Sequence, residues 1–296
     1  MTALGDDDTA PALILVATPI GNMADLSPRA RDVLANADSV ACEDTRRTGS
    51  LFAHFGIAHS PFIVCNEHTE RAAAEEIVRR IESGQTVALV SDAGTPAVSD
   101  PGQRVTQRVI AAGHEVRSIP GPSAALVGLT VSGLITDRFC FDGFLPRKGA
   151  ERGRRLERLE REERTSVLFE APHRLERTIR DLERHLGPER QVALARELTK
   201  RYENVWRGSL AEAMVHATDV EPRGEYVIIV EGAPAHEASD ERLIEALQRE
   251  LQAGASRRDA IAAVVELTGA KKRQVYDLAL QLDGKAFGGS EEPPST

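Results

Sequence analysis

The sequence predicts an α/β protein that contains two α/β domains and a small helical module. In the first 120 residues, short β-rich runs alternate with helical patterns, which is typical of βαβ units and a largely parallel sheet. Between residues 121 and 232 the β-rich runs follow one another more closely, which indicates a mixed sheet. From Asp240 onwards the pattern is helical.

The first domain, residues 11–120, contains five predicted strands: Leu13–Ala17, Ser39–Cys42, Phe62–Cys65, Thr86–Val90 and Glu115–Ile119. Helix-capping signals lie in the intervals between them. Ser27 followed by Pro28 is an N-cap with a proline at the first helical position, and Thr69 opens another helix. Gly84 and Gly113 stand where helices are expected to stop.

The second domain, residues 121–232, begins after the turn Pro120-Gly121-Pro122. A helix from Ser123 is followed by predicted strands at Arg138–Phe144, Ser166–Glu170, Gln191–Glu197, Glu203–Gly208 and Tyr226–Glu231. After the helix from Ser123, further helices are predicted only at Glu151–Arg161, Leu175–His185 and near Leu210. We therefore place the domain boundary near Gly121.

The helical module, residues 240–283, contains three predicted helices. Asp240 caps the first, Ser256 caps the second, and a turn with Gly269 precedes the third, Lys271–Leu282. This order predicts a helix-turn-helix-like arrangement.

Small and polar residues predict a linker at 232–239, and the tails at 1–10 and 288–296 are predicted to be disordered. The first residues carry Asp6 to Asp8 where a signal peptide needs positive charge. No apolar run approaches the roughly 20 residues that span a bilayer. We therefore expect neither secretion nor membrane insertion.

The three cysteines are far apart and form no CxxC pair, which argues against a disulfide framework and a zinc site. Glu67 and His68 lack enough neighbouring ligands, so no metal site is predicted. A reducing, cytoplasmic location fits these residues best. The net charge of −9 argues against indiscriminate nucleic-acid binding, although a local basic face can still dock RNA.

Three loops follow predicted strands of the first domain, at residues 18–22, 91–102 and 120–124. Because open α/β sheets bind ligands beyond the carboxyl ends of their strands, we expect these loops to converge on one site. Their glycines allow close approach of a ligand to the backbone, and their prolines stiffen the turns. The alternative is that each loop is only a tight turn.

The sequence lacks four common catalytic or cofactor-binding motifs. They are the Walker P-loop, the G-x-S-x-G elbow, the H-E-x-x-H helix and a G-x-G-x-x-G loop after the first strand.

Nine short motifs between Leu13 and Leu282 resemble the tetrapyrrole methylase superfamily, and within it the enzymes that methylate a ribose 2′-hydroxyl in 16S ribosomal RNA. The motifs are Ala17–Asn22, Glu43–Arg46, Asn66–His68, Ser91–Gly102, Ile119–Ala124, Gly143–Pro146, Phe169–Arg174, Arg196–Lys200 and Gly224–Glu225. The resemblance implies a fold with a cofactor cleft between two α/β domains.

The resemblance also implies S-adenosylmethionine as cofactor, a cytidine of 16S ribosomal RNA in the 30S subunit as acceptor, and a homodimer. By analogy, the residues expected to bind the cofactor are Pro19, Asp92, Ala93, Gly94, Thr95, Val98, Ser123, Ala124 and Phe169. Backbone donors and acceptors beside an apolar wall suit adenine and methionine.

A ribose hydroxyl is a poor nucleophile without a base, so a carboxylate near the methyl group is required. We favour Asp92 or Asp100 as that carboxylate and Lys200 as an electrostatic partner. Asp92 has the alternative role of bracing its own loop, and Asp100 that of capping a helix. For Glu197 and Lys200, the alternative to a catalytic role is a cross-strand ion pair. His173 is a weaker candidate with a packing role as its alternative.

Arginine suits bidentate contact with phosphate, so Arg46 and Arg174 are candidate RNA-binding residues, with a surface salt bridge as the alternative for each. The helical module adds a basic patch that contains Arg257, Arg258, Lys271 and Lys272. The alternative is a module that only packs or dimerises.

Two other functions remain open from the sequence. The same fold serves methylases of corrinoid or porphyrin precursors, although a small-molecule methylase has no need of a basic helical module. A non-catalytic RNA-binding assembly factor would use that module alone and would neither bind nor consume the cofactor.

Overall fold

The computed structural model describes residues 10–58, 61–219, 222–234 and 240–286. The described chain up to Gly232 belongs to one compact unit, and the chain from Ala233 belongs to a second. Apart from Ala10, the predicted tails at 1–10 and 288–296 lie outside the described residues. Residues 235–239 of the predicted linker also lie outside them.

The first sheet contains the strands β1 Leu13–Val16, β2 Ser39–Cys42, β3 Phe62–Val64, β4 Val87–Leu89 and β5 Val116–Ile119. Their order is β3-β2-β4-β1-β5, and all neighbouring pairs are parallel. All five predicted strands are confirmed, and so is the parallel sheet. In such a sheet the carboxyl ends of the strands meet at one edge, which brings the loops that follow them together.

Four helices cover this sheet: α1 Pro28–Asn36, α2 Thr45–Phe55, α3 Glu70–Glu82 and α4 Gln103–Ala111. Because successive side chains of a strand point to opposite faces, β1 contributes to two cores. Ile14 lies in one cluster with Leu34 and Phe52, and Leu13 lies in the other with Ile77 and Val105. The sheet is therefore buried on both faces, as expected for parallel strands.

The second sheet contains β6 Phe139–Phe144, β7 Thr165–Glu170, β8 Gln191–Arg196, β9 Asn204–Ser209 and β10 Tyr226–Val230. Their order is β6-β7-β10-β8-β9, with β6 and β7 parallel and the other neighbours antiparallel. The prediction of a mixed sheet is confirmed.

The helices around the second sheet are α5 Ala124–Ser132, α6 Ala150–Arg161, α7 Pro172–Leu186 and α8 Leu210–Asp219. The prediction that α7 begins at Leu175 was wrong by three residues. The helix begins at Pro172, because a proline is well suited to the first turn of a helix. Helix α5 packs Leu129 against the second sheet, where a Cβ at Gly128 would lie 2.9 Å from Val227. The chain thus passes from one sheet to the other after β5. Both sheets belong to one compact unit, so a domain boundary near Gly121 stays a prediction.

The second unit contains α9 Asp240–Gln252, α10 Arg257–Thr268 and α11 Lys272–Ala286. Leu247, Val264 and Val275 lie in its buried core. The Ser256 hydroxyl accepts a hydrogen bond from the Asp259 amide, and Gly269 ends α10 in the left-handed conformation. The three predicted helices are confirmed. Among the described residues, no helix is long and apolar enough to cross a membrane.

The N-terminus of α4 receives its cap from another helix. Gly102 precedes α4 and has no side chain, but the buried Glu70 carboxylate of α3 accepts hydrogen bonds from the amides of Gly102 (2.8 Å) and Arg104 (3.0 Å). A carboxylate at this position satisfies free amides and complements the helix dipole.

We expect Glu70→Ala to lower the free energy of unfolding by about 2 kcal/mol, because it leaves two amides without their charged acceptor. Urea unfolding followed by circular dichroism measures the change. Glu82→Ala is the matched control, since Glu82 is an exposed glutamate of the same helix and its loss should cost less than about 0.5 kcal/mol. Equal effects of the two substitutions would contradict the capping role of Glu70.

Candidate active site

The three loops predicted from the sequence meet at one edge of the first sheet. Thr18 and Gly94 exchange backbone hydrogen bonds of 2.9 and 3.1 Å. The Thr95 hydroxyl donates a 3.1 Å hydrogen bond to the Pro122 carbonyl. The loops therefore support one another, which three independent tight turns would not do.

A cleft of about 420 Å³ lies beside these loops and is lined by residues from both sheets. The site residues predicted from sequence that line it are Asp92, Ala93, Gly94, Thr95, Val98, Asp100, Ser123, Ala124, Phe169 and Lys200. Pro19, the remaining predicted cofactor-binding residue, does not line this cleft. The folding of the chain thus brings these predicted residues into one cavity from four segments, namely β7 and the segments that follow β4, β5 and β8, while their individual roles stay predictions.

A second cavity of about 300 Å³, here called the recess, adjoins the cleft and contains Pro19. The residues that line both cavities are Ile20, Arg47, Asp92, Ala93, Lys200 and Glu225. The recess also contains hydroxyl groups from Thr18, Thr48, Ser50 and Ser91. Asp92 and Lys200 therefore lie in the wall shared by the two cavities, where ligands bound in the cleft and in the recess would meet. Asp100 lines the cleft but not the recess.

Asp92 connects the loop after β4 to the loop after β2. Its Oδ1 accepts a 3.1 Å hydrogen bond from the Asp44 amide, and its Oδ2 lies 3.4 Å from Nε of Arg47. Its own loop is braced by the Ser91 hydroxyl, which lies within 3.3 Å of the Ala93 and Gly94 carbonyls. The Ser91 hydroxyl thus contributes to bracing this loop, and Asp92 braces the neighbouring one, while a catalytic role of Asp92 stays a prediction.

Asp100 is the carboxyl group whose protonation is most altered by this site. Burial raises the pKa of Asp100 to about 6, the negative charges of Glu43 and Asp92 add to the rise, and a hydrogen bond from Ser91 opposes it. Burial and Asp92 likewise raise the pKa of Glu43. Asp100 does not cap α4, because Glu70 provides that cap. The cleft thus contains three mutually repelling carboxyl groups.

Lys200 lies between two glutamates. Its Nζ donates hydrogen bonds to Glu197 (2.9 Å) and Glu225 (2.8 Å). Burial acts to lower the pKa of Lys200, but the hydrogen bonds from Nζ to Glu225 and Glu197 outweigh it and raise the pKa above the usual value. Lys200 is therefore a fixed positive charge at neutral pH. An ion pair with Glu197 is present, but it lies within the turn after β8 and does not cross between strands, as the alternative expected. It orients Lys200 at the wall shared by the two cavities.

Backbone strain is concentrated in two loops of the site. Among the described residues, the non-glycine positions with positive φ are Ala97, Ser99, Glu197 and Thr199. The first two follow β4 and the last two follow β8. Such conformations cost about 1 to 3 kcal/mol each and cluster at functional sites.

An apolar wall closes one side of the cleft. Phe169 packs edge-to-face against Phe141 and Phe144, with ring centroids 4.9 and 5.7 Å apart. Phe144 and Val98 line the cleft and remain partly exposed, at 50% and 39%. Exposed apolar groups inside a concave site favour a flat, partly apolar ligand.

The candidate RNA-binding arginines differ in their surroundings. The Arg46 side chain is 89% exposed and forms an ion pair with Asp44, the N-cap of the same helix. Its hydrogen bond lowers the pKa of that carboxyl to about 2. The Arg174 side chain is 18% exposed and lies 3.1 Å from the buried Glu170 carboxylate. This geometry favours the salt-bridge alternative for Arg174. His173 is exposed and lines neither cavity.

The basic residues predicted in the helical module, Arg257, Arg258, Lys271 and Lys272, are all exposed. Their positions are compatible with a contact surface, and RNA binding by them stays a prediction. In the described part of the chain, no group of three or more histidines, cysteines, aspartates or glutamates is arranged to hold a metal ion.

Sequence reasoning missed several residues of the site. Glu43, Arg47, Phe144 and Glu225 line the cleft but were not predicted as individual site residues. Three of them lie in the quoted motifs, and Arg47 directly follows one. The available signal was therefore their position in or beside these motifs, which chain order alone did not bring together.

The comparisons with known proteins agree with this architecture. The family model for tetrapyrrole (corrin/porphyrin) methylases matches residues 12–214, and a model for the RsmI C-terminal HTH domain matches residues 237–283. A crystal structure of uroporphyrin-III C-methyl transferase from Thermus thermophilus, complexed with S-adenyl homocysteine, shares the fold at a TM-score of 0.54 and 20% identity. The match covers 74% of this chain and 97% of that one.

Two curated relatives match nearly the whole chain. A protein of Synechocystis sp. named ribosomal RNA small subunit methyltransferase I is 44% identical over 92% of this chain and 98% of its own length. A protein of Pseudomonas aeruginosa with the same name is 43% identical over 94% of this chain and 100% of its own length. The chain therefore belongs to the tetrapyrrole methylase family and, within it, to the group of ribosomal RNA small subunit methyltransferase I.

Proposed function

We propose that this protein transfers a methyl group from S-adenosylmethionine to the ribose 2′-hydroxyl of a cytidine in 16S ribosomal RNA. The observation that carries the proposal is the pair of adjoining cavities with Asp92 and Lys200 in their shared wall. The near full-length similarity to ribosomal RNA methyltransferases supports RNA as the acceptor. No observation favours a tetrapyrrole acceptor over RNA, and the basic helical module has no use with a small substrate.

The cleft fits S-adenosylmethionine in charge and in polarity. The carboxyl groups of Glu43, Asp92 and Asp100 repel one another, and a cationic ligand would relieve that repulsion. The wall formed by Phe144 and Phe169 suits an adenine ring. When bound, the cofactor supplies a methyl group on a positively charged sulfur.

The recess suits the acceptor, because it combines a hydroxyl group with a guanidinium. The exposed Ser50 hydroxyl donates to the Arg46 carbonyl and can still accept a hydrogen bond from a nucleoside. Arg47, 66% exposed, lies at the shared wall and can reach a phosphate oxygen. A nucleotide bound here would present its ribose hydroxyl to the cleft at Asp92. Holding the acceptor oxygen and the methyl group in line is the main contribution that such a site makes to the rate.

We assign removal of the hydroxyl proton to Asp92, because this residue lines both cavities. The Asp92 carboxylate would accept that proton as the ribose oxygen takes up the methyl group, which the bound cofactor would supply while its sulfur keeps the bonding electrons. Lys200 keeps its proton, and its positive charge stabilises the negative charge that develops on the ribose oxygen. Glu197 and Glu225 hold the Lys200 ammonium in place for that purpose.

We also propose that Arg46, Arg257, Arg258, Lys271 and Lys272 contact the RNA backbone, since all are exposed. The protein would act as a homodimer in the cytoplasm, on the 30S subunit. Light scattering of the purified chain measures the oligomeric state directly.

The proposed reaction predicts a specific product. Purified protein incubated with labelled S-adenosylmethionine and 30S subunits that lack the modification should yield 2′-O-methylcytidine, identified by mass spectrometry of the nucleosides. Fully modified subunits are the control and should accept no label. Cofactor binding without transfer to 30S subunits or free 16S RNA would contradict the RNA assignment, and turnover of a tetrapyrrole precursor would replace it.

We expect Asp92→Asn to lower the transfer rate at saturating cofactor by roughly 10²- to 10⁴-fold, the usual contribution of a positioned general base. The amide oxygen of asparagine can still accept the hydrogen bond from Asp44, so the loop should keep its structure. Asp100→Asn is the comparison, because Asp100 lines the cleft alone and should affect the saturated rate less. An equal loss in both variants would contradict the assignment of the base to Asp92.

The raised pKa of Asp100, about 6, predicts that cofactor affinity depends on pH. Below that pH Asp100 is neutral and attracts a cation less, so calorimetry should show on the order of tenfold weaker binding of S-adenosylmethionine at pH 5 than at pH 7.5. Asp100→Asn should flatten this dependence, whereas Asp137→Asn, at an exposed site outside both cavities, should leave it unchanged. An unaltered pH profile in the Asp100 variant would assign the titration to another group.

A further inference from the structure

A third cavity lies on the second sheet, outside the catalytic site described above. It is an open groove of about 510 Å³, lined by Arg196, Arg201, Tyr202, Asn204, His216 and Tyr226 among others. These residues come from β8, the turn that follows it, the start of β9, helix α8 and the start of β10. None of the functions proposed above uses this groove.

The groove is a direct neighbour of the cleft. The Tyr226 side chain lines both cavities and is itself only 7% exposed, so it forms part of the wall between them. Arg201 and Tyr202 follow Lys200 in the chain, and Lys200 stands at the wall between cleft and recess. A polymer with one residue held at Lys200 has its neighbouring residues within reach of the groove.

The groove presents aromatic and guanidinium groups together. The Tyr202 side chain is 65% exposed, and the Arg201 guanidinium carbon lies 5.6 Å from the centre of its ring. The imidazole of His216 stacks on Trp206 at a centroid distance of 5.1 Å and an interplanar angle of 11°. Exposed aromatic rings beside arginine are the features with which proteins bind single-stranded nucleic acid.

The charge of the groove is opposite to that of the whole chain. The protein carries a net charge of −9, yet two arginines line the groove with one acidic residue, Glu203. The Glu203 carboxylate accepts a hydrogen bond from the Thr199 amide and keeps its negative charge, so the two arginines leave the lining with one net positive charge. Arg196 is held by a 2.8 Å hydrogen bond from its Nε to the Arg223 carbonyl, and this contact uses one of its five donors. The groove therefore offers cationic donors to an anionic ligand.

We infer that this groove binds single-stranded RNA adjacent to the acceptor nucleotide, with one base stacked on Tyr202 and its phosphate held by Arg201 and Arg196. The inference rests on the proposed function, since it requires an RNA substrate. It adds a second contact surface, distinct from the recess that takes the acceptor itself. The other occupant that an exposed tyrosine suits is a second copy of this chain, which the experiment distinguishes.

The test compares three variants of the full chain. Tyr202→Ala removes the stacking surface, Tyr202→Phe keeps it, and Ile110→Ala is the control, because Ile110 is a 60% exposed apolar residue of α4 that lines none of the three cavities. Filter binding of unmodified 30S subunits without cofactor gives the RNA affinity. Methyl transfer to the same subunits gives KM and kcat, and calorimetry with S-adenosylmethionine checks that the cleft is intact.

We expect Tyr202→Ala to weaken 30S binding and raise KM by roughly 5- to 100-fold, the usual range for loss of one base-stacking contact, with kcat and cofactor affinity unchanged. Tyr202→Phe and Ile110→Ala should behave like the wild type. In addition, Arg201→Gln should lower the slope of log affinity against log salt by about 1, because one phosphate contact is lost.

Wild-type affinity and KM in Tyr202→Ala would overturn the inference. A changed molar mass of Tyr202→Ala in light scattering, with unchanged RNA affinity, would overturn it in favour of a contact between subunits. Absence of methyl transfer by the wild type would instead refute the proposed function, and the filter-binding comparison would still decide whether the groove binds RNA.

Discussion

The close contact between the loop after β1 and the loop after β8 is the constraint on which the active site depends. A Cβ on Gly21 would lie 2.3 Å from Cγ of Lys200, and the Asn22 amide donates a 3.2 Å hydrogen bond to the Thr199 hydroxyl. Only glycine at position 21 allows the two loops to approach this closely. The contact joins the ends of two different sheets and sets Lys200 between the cleft and the recess.

The loops of the site also store unfavourable energy. Glu197 and Thr199 adopt positive φ values in the loop that carries Lys200, and Ala97 and Ser99 do so in the loop that carries Asp100. Repulsion and burial also raise the pKa of Asp100, which disfavours its charged form in the folded protein. The buried strands of the two sheets supply the rigid frame that holds these conformations. A cationic ligand would recover part of the electrostatic cost.

The local charge of each cavity in this protein differs from what the net charge of the chain suggests. The acidic groups that the cofactor would meet lie inside the cleft, while the arginines of the recess and of the groove face the region where RNA would lie. Arg174 shows the limit of reading charge from residue type, because its guanidinium serves the buried Glu170 carboxylate. A net charge of −9 is thus compatible with an RNA substrate.

The sequence by itself determined the strands, the helices and the three loops of the site, because these depend on residues that are near in the chain. Ser27 and Ser256 were recognised as caps for that reason, whereas Thr69 opens α3 without a capping hydrogen bond from its side chain. Only the tertiary structure decided that Pro19 belongs to the recess, that Glu70 rather than Asp100 caps α4, and that Asp92 supports the loop of Asp44. Those outcomes depend on burial and on partners tens of residues away, and local sequence pattern contains no record of which distant residues come into contact.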